Sequence, residues 1–305
     1  MNIQSKINVI TKEIKKNSEI WLNNNFNFFD ITKGSNVISD ELQFKAFIEL
    51  LFTVDMFYPD KIFSKNLMKK IYCLSEKVEK EVNFTEYFLT NSALVAGDEE
   101  MIIFFKNYLN RTYKERERFQ KIVSSDFELL ARKTPYRILD SAYSMTKAEI
   151  NNNAEDIDLL YNLTVLSNEN FNYLYLSDNS AYSVTHTIFY ATDMGRKHPS
   201  YLNYPFIFRT LRKMIIFYSM QNNVDIMGEC VLGMSYLTGN NNTFNEQDWN
   251  LILFALNCIR NRQSKSGFIH SPSDNKEEQL TKEELFFDNY HTTLVNLGVA
   301  YAMQR

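Results

Sequence analysis

The chain has 305 residues, with 33 Lys and Arg against 37 Asp and Glu and a formal net charge of −4; that near balance excludes a protein built chiefly to grip nucleic acid. Hydrophobic residues make up 45% and charged residues 23%, ordinary values for a chain that buries a large core. Gly 8 and Pro 5 are few for this length, which excludes collagen-like, linker-rich and turn-dense β-sandwich architectures.

The apolar spacing predicts helices nearly throughout. The first stretch, from Met1 to Trp21, is polar and mixed in charge, without the layout of a signal peptide; Ile3, Ile7, Val9, Ile10, Ile14 and Trp21 lie close to one helical stripe. Ser39-Asp40-Glu41 opens a helix over 42–58, which Pro59 ends. Further helices are predicted over 62–82, 83–95 (closing at Gly97) and 99–109, then a charged segment over 112–133 whose alternating charges read as a solvated face. Thr134-Pro135 starts a helix over 136–150, followed by 154–166, a possible extended piece at 173–176, and a helix over 182–194. A helical hairpin is predicted over 204–220 and 224–237, joined by Gln221-Asn222-Asn223. Helices over 245–259 and 282–303 complete the chain, with 260–281 between them as the longest irregular stretch. About one helix per 25 residues fits antiparallel helical hairpins.

All four histidines, His186, His198, His270 and His291, follow Asn151. The expected organisation is therefore a single helical body, 1–305, with mainly structural helices in 1–150 and site-bearing helices in 151–305. No apolar stretch reaches the roughly 18 residues of a membrane span. Cys73, Cys230 and Cys258 are odd in number and widely spaced, which points to a reducing cytoplasm rather than a disulfide framework.

Three constellations carry possible chemistry. His186, Tyr190 and Asp193 fall at i, i+4 and i+7 of one predicted helix, so they share a face. His186 there is either a general base or ligand, with Asp193 orienting a second group, or a core histidine satisfied by a backbone carbonyl, with Asp193 forming a turn before Gly195. Asp225 and Glu229 stand at i, i+4 on an otherwise apolar helix. Two carboxylates on one face repel, which suits acid–base or cation work, although Asp225 is also placed to favour a helix N-terminus. Asp288, Tyr290 and His291 form the third group, with the carboxylate and imidazole at i, i+3, close enough to hydrogen-bond and raise the imidazole's basicity; the alternative is a helix N-terminus with Asp288 as its cap and Tyr290 packed inward. Tyr190, Tyr290 and Asp225 are expected against a substrate. An alternative metal set, His186, His291 and Glu229, has suitable ligand types but no His-x-x-x-His, Cys-x-x-Cys or Glu-x-x-His pair. Cys230 beside Glu229 reads as a buried small hydrophobe, since the carboxylate would raise its pKa. Arg209, Arg212 and Lys213 share one helix and read as a solvated face, and no glycine-rich phosphate loop is present.

Two resemblances rest on particular residues. Thr185-His186, Phe189-Tyr190, Thr192-Asp193 and Gly195, together with Tyr290-His291-Thr292-Thr293 and Gln263…Gly267-Phe268, resemble an uncharacterised family of bacterial helical proteins, some encoded among genes for peptide or natural-product biosynthesis. The Gln263…Gly267-Phe268 step before the helix bearing Tyr290-His291 is also similar to the terminal repeats of α/α-toroid proteins, the architecture of terpene cyclases and protein prenyltransferases. Ser266 stands where toroid repeats carry an acidic residue. These resemblances imply an all-α fold, an α/α toroid or incomplete toroid of antiparallel helical hairpins.

The function expected is that of an enzyme, or enzyme-like protein, of bacterial peptide or natural-product biosynthesis. It would act in a central cavity, with His186, Glu229 and His291 in acid–base roles and Asp193 and Asp288 as orienters. The alternative is a non-catalytic helical scaffold that holds a peptide or partner protein. A small-molecule or peptide substrate is expected and neither nucleic acid nor membrane; the sequence specifies no cofactor and no oligomeric state.

Overall fold

The computed structural model describes residues 2–35, 37–83, 96–125, 134–172, 174, 177–239, 244–272 and 280–304. Among them the chain is all-α: twelve α-helices and no β-strand, with one isolated antiparallel bridge between Gln263 and Ile269. The helix expected over 83–95, the extended piece at 173–176 and the end of the charged segment, 126–133, fall wholly or almost wholly outside the described residues. No described helix is long and apolar enough to cross a membrane.

The chain divides into two compact units. Unit 2 comprises Asn25–Leu160 and Lys282–Phe287. It holds α2 (Asp40–Met56), α3 (Lys65–Glu81), α4 (Ala96–Phe104), α5 (Arg116–Val123) and α6 (Pro135–Lys147). Ser39 caps α2 and Ser64 caps α3, each hydroxyl accepting from the backbone N–H three residues on. The capping by Ser64 moves the start of α3 past Ile62 and Phe63, which are buried ahead of the helix. Gly97, expected to close an earlier helix, lies in the first turn of α4. That helix runs on into a π-helical turn, Phe105–Leu109, ended by left-handed Asn110. α4 packs between α2 and α6.

Unit 1 comprises Met1–Asn24, Tyr161–Thr281 and Asp288–Arg305. Its helices are α1 (Ile3–Asn24), α8 (Asp178–Ala191), α9 (Tyr204–Met220), α10 (Val224–Thr238), α11 (Glu246–Asn261) and most of α12 (Lys282–Ala302). The segment expected as one helix over 154–166 is broken into a short α7 (Ile157–Tyr161) and a 3-10 turn, Val165–Ser167. At the break the Thr164 hydroxyl turns back onto the Tyr161 carbonyl, the local competition that disfavours threonine in helix interiors.

Helix α10 is the centre of unit 1. Its sequence is largely apolar, with Asp225, Glu229 and Ser235 as exceptions, and every residue from Val224 to Leu237 is buried, as helices apolar on most faces are. It packs against α8, α9 and α11, and α1 packs on α11. Two glycines admit close neighbours: a Cβ at Gly228 would stand 2.4 Å from Asn296 Oδ1, and one at Gly233 would touch Leu211 and Ile188. The hairpin joint ends in Asn223, whose side chain accepts from Ile226 N and caps α10.

Candidate functional site

A fully buried helix that carries Asp225 and Glu229 buries two carboxylates, and a buried charge persists only if it is paired. Both are almost sealed, with side chains 2% and 3% exposed. Their spacing puts them about 6 Å apart along the axis, on one face. Helix α8 runs parallel to α10 at a constant offset of 43 residues and answers with the same spacing. Tyr182 Oη donates to Asp225 Oδ2 at 2.5 Å, and one turn later His186 Nε2 lies 3.2 Å from Glu229 Oε1. Thr185 Oγ1 donates to Glu229 Oε2 at 2.5 Å. From α12, His291 Nε2 stands 3.5 Å from Asp225 Oδ2. Each carboxylate thus meets one imidazole and at least one hydroxyl, and the two imidazoles come from different helices.

The two histidines differ in exposure. The His186 side chain is 20% exposed and its Nδ1 is buried. Tyr182 and Tyr190 stand edge-on to its ring and Phe189 stacks on it at 5.7 Å. His291 is 33% exposed, with Tyr290 packed edge-on at 6.4 Å.

The electrostatics follow from burial and pairing. Burial alone would raise the pKa of Asp225. The charge of His291 and the hydrogen bonds from His291, Tyr182 and Thr292 outweigh it and hold Asp225 below the ordinary aspartate value. Tyr182 is pushed well above the usual phenol range, first by burial and then by the charges of Asp225 and Glu229. Burial, then Glu229, raises the Cys230 thiol, so this cysteine is an inert core residue, and the three cysteines are free. Arg212 forms a two-point ion pair with buried Asp248, at 2.6 and 3.0 Å, and is therefore not part of an open anion-binding face.

The sequence-derived candidates are thus partly assembled. His186, Glu229, His291 and Asp225 gather on α10, with Tyr190 and Tyr290 against the two imidazoles. Asp225 is not the α10 cap, because Asn223 takes that role. Asp193 departs from the expected helical stripe: α8 ends at Ala191, and Asp193, Met194 and Gly195 follow with φ of 49°, 52° and 82°. Asp193 pairs there with Arg196 at 3.2 Å. Thr192 closes this reversal, donating to Ile188 O and accepting from Gly195 N. Asp288 lies inside α12, one turn before His291, and not at its N-terminus. Tyr182, Thr185 and Thr292 were not among the expected site residues. The signal that could have found the first is the matched i, i+4 spacing of Tyr182–His186 and Asp225–Glu229.

The segment after α11 builds a strap. Gln263 Nε2 donates to Ile14 O, Ser18 Oγ and Gly267 O, fixing the segment after α11 to α1. Gly267 has φ +111°, and a Cβ there would fall 2.2 Å from Asn17 O, so only glycine fits. The strap is then pinned to α12 by Ile269 N to Thr293 Oγ1 and Ser271 N to Asn289 Oδ1. Gln263, Gly267, Asn289 and Thr293 are structural.

Among the described residues, no group of three or more His, Cys, Asp or Glu side chains is arranged to hold a metal ion. The alternative set His186, His291 and Glu229 is distributed over two imidazole–carboxylate pairs. No curated protein and no solved structure matches the chain. One family model, described as "Domain of unknown function (DUF6895)", matches residues 16–301. That span takes in every residue of the α8–α10–α12 network and nearly all of both units, and the chain belongs to the DUF6895 family.

Proposed function

We propose that unit 1 carries an acid–base site in which imidazoles oriented by Asp225 and Glu229 act on a small molecule or peptide. The protein would then be an enzyme, or an enzyme-like component, of peptide or natural-product biosynthesis in a bacterial cytoplasm. One observation carries the reading: a fully buried helix commits two carboxyl side chains, each matched to a partly exposed histidine from a different helix. A core does not need such charges for stability, because apolar replacements of buried ion pairs are often neutral or stabilising. A histidine pinned at one nitrogen by a carboxylate is fixed in orientation and made more basic, as general acid–base work requires. The reading requires α8, α10 and α12 only, and does not depend on their belonging to a closed α/α toroid.

A second reading is favoured by the mutual satisfaction of the network. Tyr182 and Thr185 donate to the same carboxylates as the histidines, as they would in a non-catalytic scaffold that binds a peptide or partner protein. The two readings separate on expression of the gene with its neighbours, by untargeted mass spectrometry of small molecules and peptides. Acid–base catalysis predicts a product present with the native chain and lost with His186→Ala and with His291→Ala, both still folded by circular dichroism. A product retained in both variants removes the catalytic reading.

A further inference from the structure

Resting on that reading, we infer that the two histidines have different tasks: His291 is the acid–base group that meets the substrate, Tyr182 is a positioning residue that acts on it through Asp225, and His186 serves to hold Glu229 and α8 in place. The observations that separate them are geometric. His186 is surrounded by Tyr182, Phe189 and Tyr190, its Nε2 is directed at Glu229, and its Nδ1 is buried. A fifth of its side chain reaches solvent. A third of the His291 side chain reaches solvent, while its Nε2 is directed inward at Asp225.

The chain Tyr182–Asp225–His291 is therefore a relay of orientation through a sealed carboxylate to a partly exposed imidazole. Asp225 Oδ2 is the shared acceptor, 2.5 Å from the phenol oxygen and 3.5 Å from the imidazole nitrogen. Asp225 stays ionised, and the proton of Tyr182 stays on its phenol, since burial and the neighbouring carboxylates oppose its loss. A proton taken from the substrate thus resides on the His291 imidazole, is balanced by the Asp225 charge, and is returned from the same ring. Tyr182 regulates how much of that charge His291 feels: a donor on Asp225 disperses it, and removal of the donor concentrates it. The charged groups that bear on Tyr182 are Asp225 and Glu229 from α10 and Asp178 from its own helix. On α12, Asp288 precedes His291 by one turn.

Diethyl pyrocarbonate, which acylates neutral imidazole nitrogen, tests this on the intact chain without knowledge of the substrate. Peptide mass spectrometry gives the modification rate of each histidine between pH 5 and 8. The expected result is His291 modified about ten times faster than His186. The midpoint of its rate–pH curve should move down by about one unit in Asp225→Asn and up in Tyr182→Phe. A purely structural Tyr182 would leave that midpoint unmoved, and that result overturns its assignment. His186 reacting as fast as His291, or faster, overturns the division of tasks while leaving an acid–base site in place. No modification of either histidine in the folded protein overturns both the division and the catalytic reading.

Discussion

Asp225 concentrates the physical problem of the site in one side chain. It is a carboxylate in a fully buried helix, held ionised against its own burial by His291, Tyr182 and Thr292. Removing the acceptor strands the donors, so Asp225→Ala should cost about 3–5 kcal/mol in urea unfolding. The pH dependence has a definite sign. A carboxyl whose folded pKa lies below its unfolded value of about 3.9 contributes stability above that value and loses it as pH falls through the folded one. The native chain should therefore lose stability steeply below pH about 4, and Asp225→Asn should show a shallower acid limb. An acid limb of equal slope in both would contradict the pairing. The sequence singled out Asp225, Glu229, His186 and His291, because polar residues in apolar helices are visible as exceptions. It did not reveal Tyr182 or Thr185 as partners, since a tyrosine and a threonine on a mixed helix are unremarkable until the neighbouring helix supplies the register.

At the level of elements, helix interiors were legible and their ends were less so. The α9–α10 hairpin follows the sequence reading closely because Asn203 and Asn223 cap two strongly apolar runs. The end of α8 was placed three residues too late: nothing in the apolar pattern forbids a helix through Met194, whereas three successive left-handed residues do. The strap between α11 and α12 appeared only as irregular sequence, yet it is fixed residue by residue. Gly267→Ala should cost on the order of 1–3 kcal/mol, through a strained φ and a Cβ driven into the Asn17 carbonyl. Gln263→Ala removes the contacts to Ile14 O, Ser18 Oγ and Gly267 O, which share the two protons of Nε2, each full hydrogen bond having a net worth of about 1 kcal/mol. Hydrogen exchange should then show faster exchange at Ile269 N, whose partner is Thr293. Unchanged protection there would mean that Gln263 does not hold the strap.

For the molecule as a whole, the chain order hides the units. The first helix belongs with residues 161–281, not with the residues that follow it, a pairing that periodicity cannot show. It contributes Ile7, Ile10, Ile14, Trp21 and Leu22, all buried, together worth roughly 7–15 kcal/mol at 1.5–3 kcal/mol each. That matches the entire stability of a typical domain, so deletion of residues 2–24 should unfold unit 1, with protection lost across α10 in hydrogen exchange. Retained protection in α10 would show that α1 is dispensable. The most direct test of the central claim, that a carboxylate inside α10 holds a functional imidazole from α12, is a double-mutant cycle of Asp225→Asn with His291→Ala in urea unfolding. The structure predicts a coupling of about 1–3 kcal/mol; strict additivity, within about 0.3 kcal/mol, would contradict it.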